Sequence, residues 1–269
     1  MRKYYKINVD LNTKLLNDII NTLYKSEVNN MKIRIENIEA IPKIVANEYK
    51  DLIIKKNNPT LGLATGSTPL ILYKQLVEEY ENKNISFKNC TTFNLDEYIG
   101  IDKNNINSYR YFMNKNLFNK VDIDIKNTHF PSTYHTSESD CLEYERKIAN
   151  AGGIDLQLLG IGVNAHIAFN EPGTPFGSLT HVVELTPTTR TANARFFNNI
   201  NEVPTHAVCM GIRTIMNTKK IILIALGEHK AQAIKDAVYG RISKRCPASI
   251  LQLHPDVTIY CDKEAGSLL

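Results

Sequence analysis

The chain has 269 residues, 43% of them hydrophobic, and carries 32 Lys and Arg against 28 Asp and Glu for a net charge of +4. That is enough apolar sequence for one large α/β domain or two small ones, and it excludes disordered and fibrous classes. The small charge comes without a polybasic cluster, so it gives no support to a nucleic-acid or membrane partner and is compatible with a small anionic ligand. Five cysteines, Cys90, Cys141, Cys209, Cys246 and Cys261, are widely spaced with no CxxC pair. They read as reduced buried thiols, with neither a disulfide framework nor a zinc pattern. The basic start Met1–Lys6 is not followed by an apolar stretch, and no run approaches membrane-spanning length, so a cytoplasmic enzyme or sensor is expected.

Residues 1–30 stand apart from a body spanning 31–269, with Leu11, Leu15, Leu16, Ile19, Ile20 and Leu23 at helical spacing after a candidate Asp10 cap. Met31 is a candidate alternative start. From there Lys32–Ile35 alternates like a strand and residues 38–50 return to helical spacing. Leu61–Ala64 is a strand candidate, residues 69–79 a helix with proline in its first turn, and Cys90–Asn94 a second strand. Helical patterns follow near residues 108–118 and 137–149, then the apolar run Ile154–Ile161, which reads as a strand buried on both faces. Residues 207–216, the strongly apolar Ile221–Leu226, a helix over 230–239 and Val257–Cys261 complete the pattern. Strand-helix alternation of this kind predicts a single-domain α/β fold: an open, mostly parallel, Rossmann-like sheet with helices on both faces.

The polar clusters share a position. Thr65-Gly66-Ser67-Thr68, Asp96-Glu97, Asn164 through Glu171, and Gly227-Glu228-His229-Lys230 each follow a predicted strand. Ligands of open parallel sheets bind at the carboxyl ends of strands, so four separate segments are expected to converge on one crevice. Thr65–Thr68 passes from strand to helix through residues that allow close backbone approach, which reads either as a phosphate cradle or as a tight structural turn. It lacks the lysine of a Walker A loop, and nucleotide hydrolysis is not indicated. Gly160-Ile161-Gly162-Val163-Asn164-Ala165 formally satisfies the dinucleotide pattern, with Glu184 downstream, but prolines and glycines after Phe169 deny it the helix that pattern needs.

Asp96 leaves a buried strand, where desolvation raises a carboxyl pKa and makes a better base; the alternative is an ordinary capping aspartate. His166 is either a satisfied core histidine or an acid-base group whose orientation Glu171, five residues on, holds. Arg195 and Lys230 complete an anion site or form surface ion pairs. His229 and His254 are assigned no chemistry. A metal site is not expected, because no close histidine or cysteine pair accompanies His166.

From about Met31 onward the sequence resembles the glucosamine-6-phosphate deaminase family. The matching segments are Leu61–Pro69, Phe93–Tyr98, His166–Pro172, Arg190–Phe197 and Leu251–Pro255. The resemblance implies a cofactor-free isomerisation coupled to deamination, an activity of the hydrolase/isomerase kind in amino-sugar catabolism, turning glucosamine 6-phosphate into fructose 6-phosphate and ammonia. It implies that His166 opens the sugar ring with support from Glu171 and Asn164, and that Asp96 removes the C2 proton. It also implies that Thr65, Gly66, Ser67, Thr68, Arg195 and Lys230 hold the phosphate.

Two positions depart from the pattern. Asn164 occupies a position that is Asp in one branch of the family and Asn in another, and Ala165 stands where glycine is usual. If residue 165 needs a positive φ, its β-carbon costs about 1 kcal/mol or more. The basic cluster and longer tail of the allosteric, hexameric branch are absent from this sequence, which resembles the shorter branch and is expected to be a monomer or small homo-oligomer. The competing readings are a 6-phosphogluconolactonase-like hydrolase, which needs no base for a carbon acid, and a sugar-phosphate-sensing domain, in which the acid-base set has no purpose.

Overall fold

In the computed structural model, which describes residues 31–269, the predicted alternation becomes a seven-stranded parallel sheet beside a small antiparallel one. The helix expected within residues 1–30 lies outside the described residues. In chain order the strands are β1 (Met31–Ile35), β2 (Thr60–Leu63), β3 (Thr91–Asn94), β4 (Asp96–Tyr98), β5 (Thr128–His129), β6 (Leu156–Leu159), β7 (His181–Glu184), β8 (His206–Cys209), β9 (Ile221–Ala225) and β10 (Val257–Cys261). The α-helices are α1 (Ile41–Lys55), α2 (Leu70–Glu81), α3 (Tyr109–Asn116), α4 (Glu138–Asn150), α5 (Pro187–Asn193), α6 (Ile212–Met216) and α7 (Ala231–Tyr239). None is long and apolar enough to cross a membrane.

The large sheet runs β1-β10-β9-β6-β2-β3-β5, and every pairing in it is parallel. Every residue of β2, β6, β9 and β10 is buried, which is why these strands read as continuous apolar runs instead of alternating ones. Edge strand β1 buries Met31 and exposes Lys32 and Arg34. Helix starts follow local chemistry. Ser108 Oγ accepts the Tyr111 N–H at 3.0 Å at the head of α3, and Ser137 and Asp140 form a reciprocal capping box on α4.

Strands β3 and β5 lie to one side of β2, whereas β6, β9 and β10 lie to the other, so the strand order reverses between β2 and β6. That reversal opens a crevice at the carboxyl ends. At the centre, Gly62 pairs with Gln157 across β2 and β6, and the fully buried Gln157 side chain occupies the space a β-carbon on Gly62 would need.

The second sheet corrects the expected alternation at residues 207–216. That stretch splits at Gly211 into antiparallel β8 and the short α6, and β8 joins β4 and β7 in the order β4-β8-β7. A β-carbon on Gly211 would fall 2.2 Å from the Leu179 carbonyl oxygen, so the close passage of two chain segments requires glycine there. β7 is half exposed in strict alternation, the mark of an antiparallel strand covered on one face only.

Gly62→Ala should lower the urea midpoint by the equivalent of about 1–3 kcal/mol, because the new methyl would lie 2.0 Å from Gln157 Oε1. An unchanged midpoint would show that the β2–β6 contact is looser than described.

Candidate active site

The four polar loops follow β3, β2, β6 and β9, which are neighbours in the sheet, so one rim gathers all of them. They border a cleft of about 340 Å³ whose walls include Thr65, Gly66, Ser67, Thr68, Asp96, Asn164, His166, Arg195 and Lys230. Glu171 stands behind His166. A shallower hollow of about 630 Å³ lies at the opposite rim, beside Pro59 and Cys90 ahead of β2 and β3, and contains none of the expected site residues.

The loop after β6 is shaped around the imidazole. Gly162 N–H donates to the His166 carbonyl at 2.9 Å, and the ring packs so close that a β-carbon on Gly162 would fall 2.3 Å from it. Ala165 and Ala168, on either side of His166, have φ of 62° and 52°. The requirement for positive φ at residue 165 is therefore met here by alanine, at a strain of about 1–2 kcal/mol. No helix follows Gly160–Ala165, and the dinucleotide match is a coincidence of spacing.

His166 Nδ1 lies 3.5 Å from Glu171 Oε1, an ion-pair separation at the outer limit of hydrogen bonding. Asn164 bridges the two residues. Its Oδ1 accepts the His166 N–H at 3.3 Å, and its Nδ2 donates to Glu171 Oε2 at 2.6 Å. The Thr189 hydroxyl also donates to Glu171. Partial burial by itself would raise the Glu171 pKa; His166, Thr189 and Asn164 outweigh it and hold the carboxyl down at about 2. Glu171 is thus an anion across the physiological range, placed to orient a neighbouring imidazole.

Asp96 opens β4, pairs in register with Cys209 of β8, and is only 7% exposed. Burial first, and the adjacent Glu97 second, push its carboxyl up to about 8. A group so tuned accepts a proton readily once ionised, as carbon-acid chemistry requires.

At the head of α2, Gly66 has φ of 105° and the Thr65–Thr68 loop lines the cleft. Arg195, just beyond α5, donates to Ser67 Oγ at 3.4 Å. Lys230 borders the same cleft, and its pKa is lowered by burial and then by the nearby Arg195. Two cations brought together at a helix N-terminus make a site for an anion. Asp262 sets the approach to Lys230, its carboxylate accepting the Gly227 N–H at 2.9 Å, where φ is 85°.

Sequence reasoning missed part of the wall. Tyr98, Tyr109, Phe169 and Phe197 line the cleft as a packed aromatic group, and Asn193 Nδ2 donates to the Tyr98 hydroxyl at 2.9 Å. The Thr186-Pro187 pair, an N-cap followed by a first-turn proline, was the legible sign of the helix carrying Thr189 and Asn193. His254 is buried and bonded to the Thr218 carbonyl, a structural role. Among the described residues, no group of three or more His, Cys, Asp or Glu side chains is arranged to hold a metal ion.

Fold and cleft together define the class: an open parallel α/β protein with a small-molecule crevice at its topological switch point. The chain belongs to the family of glucosamine-6-phosphate isomerases and 6-phosphogluconolactonases, whose model matches residues 35–260. It is 51% identical over 241 residues to a glucosamine-6-phosphate deaminase of Clostridium botulinum (strain Alaska E43 / Type E3), covering 89% of this chain and 97% of that protein. It is also similar to a solved monomeric glucosamine-6-phosphate deaminase, with 44% identity and a TM-score of 0.86 over 89% of this chain and all of the other. A 6-phosphogluconolactonase from Thermotoga maritima shares the fold, at 20% identity and a TM-score of 0.70, over 87% of this chain and 100% of that one.

Two stability measurements follow from this geometry. Ala165→Gly should raise stability by roughly 1 kcal/mol through relief of the positive φ; a loss of stability would mean that the methyl contributes more by packing than it costs in strain. Asp96→Asn should raise the melting temperature in a pH-dependent way. Because the folded-state carboxyl titrates near 8 instead of the ordinary 3.8, wild-type stability falls as pH rises between those values, by up to about 1.4 kcal/mol per unit. The advantage of the variant should therefore grow from pH 5 to pH 8 and level off above; a constant advantage would contradict the shifted carboxyl.

Proposed function

We propose that this protein converts glucosamine 6-phosphate and water into fructose 6-phosphate and ammonia, by aldose-ketose isomerisation coupled to deamination. The observation that carries the reading is the meeting of Asp96, His166 and the Thr65–Thr68 loop with Arg195 and Lys230 on one cleft. The 51% identity to a protein of that activity supports it.

In this reading Thr65, Gly66, Ser67 and Thr68, with Arg195 and Lys230, hold the phosphate away from the reacting carbons and so fix the orientation of the rest of the molecule. His166 moves the proton that opens the pyranose ring, supported by anionic Glu171 and bridging Asn164. Asp96 then removes the proton from C2. Its elevated pKa suits the task, and the substrate's own C2 ammonium, brought beside the carboxyl, favours the ionised form. The electron pair left at C2 gives an enolamine, protonation at C1 converts it to a C2 imine, and water hydrolyses the imine to the ketone and ammonia. Isomerase and deaminase describe this sequence better than a simple hydrolase does.

A lactonase reading has less support. Lactone hydrolysis has no carbon-bound proton to remove, which leaves a buried, up-shifted Asp96 without employment, and the T. maritima lactonase is similar at the level of fold alone. The enzyme is read as a cytoplasmic monomer or small homo-oligomer in amino-sugar catabolism, with residues 1–30 as an N-terminal addition to the catalytic body 31–269. Similarity to a monomeric relative supports the smaller assembly.

Purified protein incubated with glucosamine 6-phosphate should release ammonium and fructose 6-phosphate in equal amounts, and should leave 6-phosphogluconolactone at its spontaneous rate of hydrolysis. Folded protein that releases neither product would overturn the assignment. Asp96→Asn should lose about 10²–10⁴-fold in turnover and abolish exchange of the C2 proton with solvent, while still binding the sugar phosphate. Undiminished exchange would remove Asp96 from the role of base.

A further inference from the structure

Asp96 and Glu97 are consecutive on β4, so their side chains leave opposite faces of the strand. Asp96 lines the cleft, whereas Glu97 is buried on the other side. There its Oε1 accepts the N–H groups of Tyr98 and Tyr109, both at 2.9 Å, and its Oε2 accepts the Arg110 N–H at 2.8 Å. Tyr109 and Arg110 are the first two residues of α3, whose N–H groups have no carbonyl within the helix to receive them. The Arg110 guanidinium is engaged elsewhere, donating to Thr128 Oγ1 at 2.6 Å and to the Thr128 carbonyl at 3.0 Å while lying over the Phe130 ring. Three backbone donors therefore clasp this buried carboxylate, and its chain neighbour is the candidate base.

The clasp has a geometric consequence. Asn107, Ser108 and Tyr109 all line the cleft, and the bond from the Tyr109 N–H ties that wall to β4. We propose that Glu97 is a positioning residue for the reaction: it fixes the wall from Asn107 to Tyr109 against Asp96, and it sets a negative charge directly behind the base. This inference rests on Asp96 acting as the base of the deaminase reading.

The surroundings of Asp96 give that charge its leverage. Tyr98 on its own strand, Tyr109 on α3, Tyr144 on α4 and Cys209 on β8 are all pushed up by burial, so they are neutral when Asp96 titrates. Glu171, beyond Cys209 and behind His166 on the facing wall, is held down at about 2, and its charge is constant over the working range. The Arg110 charge, although its guanidinium is turned to Thr128 and Phe130, partly offsets that of Glu97. Burial raises the Glu97 carboxyl, and its three N–H donors oppose that rise by favouring the anion. Removing the charge makes Asp96 easier to ionise and a weaker base. Removing the clasp loosens the wall that faces it.

The test compares wild type, Glu97→Gln and Glu97→Asp in two measurements: carboxyl ¹³C NMR titration of Asp96 in ligand-free protein, and the pH dependence of kcat and KM with glucosamine 6-phosphate. Glu97→Gln should move the Asp96 titration to lower pH by about one unit and reduce kcat by about tenfold or more with a smaller change in KM. Glu97→Asp keeps the charge but shortens the reach, so its titration should stay at the wild-type position while kcat falls. An Asp96 titration unmoved in folded Glu97→Gln overturns the proposal, as does a wild-type kcat in Glu97→Asp. If Glu97→Gln fails to fold, the Glu97→Asp rate decides. A wild-type protein without deaminase activity contradicts the functional reading instead, and the NMR titration then judges Glu97 by itself.

Discussion

Parallel register is the constraint on which the rest of this molecule depends. Because β3, β2, β6 and β9 are adjacent and point the same way, the loops that leave them open at one rim. Residues separated by more than a hundred positions, such as Thr65 and Lys230, therefore border a cleft of about 340 Å³. Were one of these strands reversed, its polar cluster would lie at the opposite rim. The reversal of strand order between β2 and β6 leaves the crevice uncovered, and the glycines at 62 and 162 let the Gln157 and His166 side chains approach where a methyl group would collide.

The cleft separates two kinds of titrating group by environment. Glu171 is surrounded by donors and stays ionised, whereas Asp96 is buried beside a like charge and keeps its proton until about pH 8. Pairs of carboxyls pushed in opposite directions are how one site runs acid and base steps together. The arrangement is costly to the fold. A buried aspartate beside Glu97 and two non-glycine residues at positive φ around His166 are each unfavourable locally, and they concentrate where chemistry is expected. The extensive apolar core, from the fully buried strand β9 to α7, offsets them.

Much of this was legible in the sequence, for physical reasons that also mark the limit. The central strands announced themselves because burial on both faces demands an unbroken apolar run, as in Ile221–Leu226. The loops were legible because each polar cluster began where such a run stopped. The small sheet was not. β4 has three residues and β7 is half exposed, so neither produces a long apolar signal, and the pairing of Asp96 with Cys209 joins segments far apart in the chain. The same holds for the wall of the site. Asn193 meets Tyr98 and Glu97 clasps the start of α3 only because the fold brings them together, and no spacing in the sequence encodes either contact. Ala165 was an intermediate case: its replacement of the usual glycine was visible, but its φ of 62° needed the backbone.

The most direct measurement is a crystal structure with an open-chain amino-alditol 6-phosphate, which keeps the phosphate and the amine but has no carbonyl to isomerise. The account predicts the phosphate between the Thr65–Thr68 loop, Arg195 and Lys230, with C2 within reach of the Asp96 carboxyl and the C1 end beside His166. A phosphate bound elsewhere, or a carbon chain directed away from Asp96 while the phosphate sits in the loop, would contradict it.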